Sequence, residues 1–128
     1  MNTRKLLILV LVVNALLVIL LSPLGFETRP PTDLKTAGYI AIGAIFAGFI
    51  LDLASIILLF RRVRLASSLA IVGSILFFFP IFGDRAGSFF SLPIPPAINT
   101  LEYIFTVVLL VTLFLASKVY RESNPSAS

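Results

Sequence analysis

The chain has 128 residues, 59% of them hydrophobic and only 12% charged, with a net charge of +4. A soluble domain carries about a quarter charged residues, so this excess of oil over ions excludes an ordinary water-soluble fold and predicts lipid as the solvent. There is no cysteine and no histidine, which excludes disulfides, thiol redox chemistry and thiolate metal sites and removes the commonest zinc and haem ligands. No metal and no cofactor is expected, and the chain is read as not an enzyme.

The first apolar run, Leu6 to Leu21, follows Arg4 and Lys5 and is broken only by Asn14. A basic start before an apolar run is also the layout of a signal peptide. The end of this run, Leu20-Leu21-Ser22-Pro23-Leu24-Gly25, offers no small-residue cleavage site, so a retained helix is expected over about 5–22, stopped by Ser22-Pro23. The second run spans about 36–60. Only Arg61-Arg62-Val63-Arg64 separates it from the third, about 64–82. A link that short forces an antiparallel helical hairpin. Phe82-Gly83-Asp84 is expected to end the third helix. Pro93, Pro95 and Pro96 precede the fourth, about 96–118, with Pro96 suited to its first turn.

Roughly 20 residues at about 1.5 Å each cross a 30 Å hydrocarbon core, so each run suits one crossing. The runs are continuous rather than alternating, which argues for helices over a barrel. The expected fold class is all-α, an integral membrane four-helix bundle in one domain, residues 1–120, with a short, polar, disordered tail at 121–128. Arg4, Lys5, Arg61, Arg62, Arg64, Lys118 and Arg121 fall on one side and Arg29, Lys35 and Arg85 on the other. That asymmetry places both termini in the cytoplasm of a multi-pass protein of the cell membrane. The same basic residues suit anionic lipid head groups, and nothing resembles a nucleic-acid-binding motif. Tyr39, Tyr103 and Tyr120 fall at expected membrane boundaries, and Phe77, Phe78, Phe79 and Phe82 read as packing or lipid contact. Glu102 is expected in the first turn of the fourth helix, where the helix dipole favours it.

Asp52 is the residue most out of place. It lies nine positions before Arg61, roughly 13–14 Å from the boundary and so near mid-membrane. A carboxylate there costs about 2.5–3.5 kcal/mol on insertion scales, so it should face protein or water. Counted from each helix's basic end, Asn14 is nine positions from Lys5, Ser74 ten from Arg64 and Thr106 twelve from Lys118. These four side chains are expected to form one buried polar layer. On the second helix Ala41, Ala44, Gly48, Asp52 and Ser55 share a narrow stripe of small residues, the expected packing surface. Gly43, Ala47 and Ala54 lie on the far side, which would sandwich that helix between neighbours.

Two roles follow for Asp52. As a fastener, it is a neutral acid donating to Asn14 or a neighbouring serine, in a protein that acts as an accessory, assembly or scaffold subunit beside a membrane partner or a second copy of itself. As a functional carboxyl, it binds a proton or cation in a small transporter or channel. A third and weaker reading is a pore-forming lytic protein.

Overall fold

A computed structural model of the protein describes residues 2–28, 35–87 and 94–123, the first stretch with side chains to residue 21. Its elements are four helices, α1 (Thr3–Thr28), α2 (Thr36–Leu58), α3 (Val63–Arg85) and α4 (Pro96–Glu122). Each contains a segment long and apolar enough to cross a membrane.

Three helix ends differ from those read in the sequence, for reasons of backbone chemistry. α1 runs through Pro23 to Thr28 rather than stopping near Ser22. A proline removes one ladder hydrogen bond, and transmembrane helices tolerate this where a soluble one kinks or breaks. α3 likewise carries Pro80 within it and continues past Gly83 to Arg85. The glycine that ends it is Gly87, at φ 76°, whose N–H donates back to the Asp84 carbonyl at 3.0 Å. That left-handed turn is the usual helix stop, and Gly83 does not adopt it. α4 extends through Arg121 and Glu122, and Ser123 closes it with an N–H bond to Val119. Residues 124–128 of the expected disordered tail lie outside the described residues.

The helices form a ring. α2 and α3 pack most extensively, α3 with α4 and α4 with α1 follow, and α1 with α2 meets least. Two apolar clusters fill the ring. One gathers Leu7 and Leu11 from the start of α1, Leu59 from just past the end of α2, Ala66 and Ala70 from the start of α3, and Ala116 from late α4. Helix starts thus meet helix ends, so the bundle runs up-down-up-down. The start of α1 and the end of α4 lie at one end of it with the α2–α3 turn, here called the termini end. The end of α1, the start of α2, the end of α3 and the start of α4 lie at the other, the loop end. The second cluster, Val18, Phe77, Ile81, Phe105 and Leu109, fills the interior toward the loop end.

The small stripe of α2 faces inward: Ala41, Gly48, Asp52 and Ser55 are buried and Ala44 half-buried. Its purpose is visible at two glycines on the α2–α3 seam. A Cβ on Gly73 would lie 3.1 Å from Asp52 Oδ1 and 3.4 Å from the Gly48 carbonyl oxygen, and one on Gly48 would lie 3.0 Å from the Phe77 ring. A methyl at either place fits only if its neighbour gives by a few tenths of an ångström, so the two helices approach as small-residue seams in membranes do. The second small set behaves differently. Gly43 and Ala47 are exposed and Ala54 half-buried, and nothing lies within 4 Å of a Cβ built on Gly43. Within the chain α2 is therefore not sandwiched, because its neighbours α1 and α3 both pack on the inward side.

A hydrogen bond reinforces the seam: Ser55 Oγ donates across to the Ala66 carbonyl at 2.7 Å. Ser55→Ala should lower stability by about 0.6 kcal/mol, the average for such a bond in a membrane protein. Denaturant titration in detergent micelles reads this. A loss several times larger would mean that Ser55 does more than tie α2 to α3.

Candidate functional site

The interior polar groups form bonds in pairs, and Asp52 stands outside every pair. On α1 and α4, Asn14 Nδ2 donates to Thr112 Oγ1 at 2.9 Å, and both residues are fully buried. Thr112 Oγ1 in turn donates to the Val108 carbonyl at 2.7 Å. On α3, Ser67 donates to Val63 and Ser74 to Ala70, each one turn back. With Ser55 committed to Ala66, every buried hydroxyl along these helices gives its single hydrogen to a backbone carbonyl.

Asp52 is fully buried, and among the described residues neither of its carboxyl oxygens has a hydrogen-bond partner. The oxygen Oδ1 of Asn14 is in the same position. The interior is therefore rich in acceptors, and its buried hydroxyl hydrogens are all committed elsewhere. The expected bond from Asp52 to Asn14 or a serine is not formed. Asp52 sits on the α2–α3 seam against Gly73, whereas Asn14 faces α4, and α1 and α2 meet least of the neighbouring pairs.

The fourth member of the polar layer is also different. Thr106 is half-buried and donates to Glu102 on its own helix, so the polar partner from α4 is Thr112. Ser74 is buried at the expected depth, but turned to its own backbone. The signal that finds the right residues was present in the charges. Asn14 is nine positions from Lys5, Asp52 nine from Arg61, Gly73 nine from Arg64 and Thr112 nine from Arg121. Counting α4 from Lys118 shifts the layer by nearly one turn, because α4 reaches to Glu122 and Arg121 is its last basic residue.

A second polar group lies at the loop end. Asp84 and Glu102 are buried there. Arg85 stands 3.5 Å from Glu102 Oε1, donates to Asn99 Oδ1 at 2.8 Å and lies over the Tyr103 ring at 4.2 Å. Glu102 falls in the second turn of α4, which begins at Pro96, so its cationic neighbour is Arg85 of α3 rather than the helix end. Lys35 donates to the Gly87 carbonyl at 2.9 Å, tying the start of α2 to the end of α3. The opposite end is basic: Arg4, Lys5, Arg61, Arg62, Arg64, Lys118 and Arg121 surround the termini, with Arg64 over the Tyr120 ring at 4.4 Å. Among the described residues no group of three or more Asp, Glu, His or Cys side chains comes together to hold a metal.

Four apolar helices, with large apolar side chains such as Leu16, Ile40, Phe46, Ile57 and Phe114 turned outward, suit a multi-pass membrane protein. The chain matches no protein-family model, and no curated protein or solved structure matches it significantly.

Proposed function

We propose that the protein is a small proton carrier or channel of the cell membrane, in which Asp52 is the group that takes up and releases the proton. One observation carries this reading: a wholly buried carboxyl whose two oxygens have no hydrogen-bond partner. A structural fastener needs a partner, and Ser55 and Asn14 have one where Asp52 does not. Holding an ionisable group there unpaired is costly, and an intramembrane carboxyl in that position marks a functional site. A proton suits it better than a metal cation. It needs one oxygen, whereas even a small metal cation takes about six oxygen ligands, and Asp52 is flanked by Leu51 and Gly73. No covalent chemistry is involved. The basic residues at the termini end support a cytoplasmic orientation for that end.

The test is proton flux into liposomes holding the purified protein and a pH-sensitive dye, driven by a membrane potential. Flux above that of protein-free liposomes, lost in Asp52→Asn, supports the reading. Wild-type flux equal to that of protein-free liposomes would sink it. The accessory-subunit reading draws on a different observation, the exposed Gly43 and Ala47 on the outer face of α2, which leave room for another helix. A partner pulled down from native membranes, and lost on Gly43→Leu, would favour it.

A further inference from the structure

We infer that Phe77 closes the Asp52 site on the loop side, and that protons reach Asp52 past this ring from the end carrying Asp84 and Glu102. The inference rests on Asp52 being the proton-binding group. Its geometry comes from two helices that agree. On α2, Gly48 lies one turn from Asp52 toward the loop end, and the Phe77 ring sits 3.0 Å from where a Gly48 Cβ would be. On α3, Gly73 abuts Asp52, and Phe77 lies one turn from Gly73 in the same direction. The ring is 1% exposed and meets Phe105 of α4 at 5.2 Å between centroids. It therefore spans the interior from α2 to α4, one helical turn nearer the loop end than Asp52.

The two sides of Asp52 are unlike. Toward the loop end the apolar barrier is one cluster, Phe77 and Phe105 with Val18, Ile81 and Leu109, and beyond it stand the buried carboxyls of Asp84 and Glu102. Glu102 is one turn from Phe105. Toward the termini end the barrier is aliphatic, with Leu7, Leu11, Leu59, Ala66, Ala70 and Ala116 among its members. The buried polar side chains on that side, Ser55 and Ser67, already bond to backbone carbonyls. Among the described residues no buried acid lies there, and the seven basic residues beyond it repel cations. Within the loop-side cluster Phe77 is the part assigned to move, because its ring is seated on Gly48, which has no side chain to hold it; the aliphatic plug draws on residues from all four helices.

The test uses the whole chain in sealed membrane vesicles of each sidedness, treated from outside with a water-soluble carbodiimide and an amine, which convert an accessible carboxyl to an amide. Modification is read on the tryptic peptide from Thr36 to Arg61, in which Asp52 is the only side-chain carboxyl. Phe77→Ala should raise the Asp52 modification rate about tenfold from the loop face, as expected when a barrier to local opening is removed, and leave the rate from the termini face unchanged. Phe77→Leu keeps the site filled and folded, and should give a smaller rise from the same face. An equal rise from both faces, a rise from the termini face, or no rise in either variant would overturn the inference. Symmetrical modification with flux still dependent on Asp52 sinks only the gate. Flux indifferent to Asp52→Asn sinks the proposal beneath it.

Discussion

Asp52→Asn should abolish proton flux while leaving the bundle folded. The substitution keeps the shape of the side chain and removes only its ability to ionise. Because neither carboxyl oxygen is hydrogen-bonded, no bond is lost, and stability in detergent should stay within about 1 kcal/mol of wild type, well inside the range of ordinary substitutions. Asparagine also keeps the donor that a neutral-acid fastener would use, so stability in this variant checks folding, and flux is what separates a fastener from a carrier. Variant flux at the wild-type rate would be wrong for a proton-binding Asp52.

Gly73→Val should damage folding more than any other single change on the α2–α3 seam. Its Cβ would press on Asp52 Oδ1 at 3.1 Å, on Leu51 Cβ at 3.3 Å and on the Gly48 carbonyl at 3.4 Å. The last is backbone and can move only with its helix. Overpacking of a filled core costs about 1–3 kcal/mol, and the branched valine should reach the top of that range. Gly73→Ala separates packing from function. The gain in helix propensity, about 1 kcal/mol, offsets much of the crowding, so the bundle should survive. The methyl still displaces the Asp52 carboxyl, so flux should fall. Thermal unfolding of both variants in detergent, with flux for the alanine, checks the pair. A Gly73→Val protein as stable as wild type would mean that α2 and α3 are not in such close contact.

Much of this arrangement was legible in the residues. The four apolar runs, the hairpin enforced by Arg61-Arg62-Val63-Arg64 and the small stripe of α2 follow from composition and 3.6-residue periodicity, and the structure shows the same helices and the same inward face. Helix ends were less legible. Pro23 and Gly83 read as stops because those rules come from helices in water, where a broken backbone bond is cheaply satisfied by solvent. Rotations about the other helix axes were not legible. Both Thr106 and Thr112 are polar residues in the middle of α4, and only packing shows that Thr112 turns to Asn14. The role of Phe77 was hidden for a related reason. In sequence it is the first of three phenylalanines. Its seat on Gly48 depends on which of the three points at α2, and Phe79 points outward.

The layout also bears on how a chain without histidine would handle protons, as proposed. Histidine titrates near neutral pH in water with no help from its surroundings. A carboxyl can replace it only where burial and the absence of a hydrogen-bond partner alter its chemistry. The interior provides that setting by satisfying each neighbouring hydroxyl from within its own backbone or across one seam, and by leaving Asp52 none.

The claim that Asp52 carries the proton is tested most directly by infrared difference spectroscopy of the protein in lipid as the bath pH is stepped. If it does, a carboxyl band responds to pH in the wild type and is missing from Asp52→Asn, with the bands of Asp84 and Glu102 left in place. Spectra that respond to pH identically with and without the Asp52 carboxyl would contradict it.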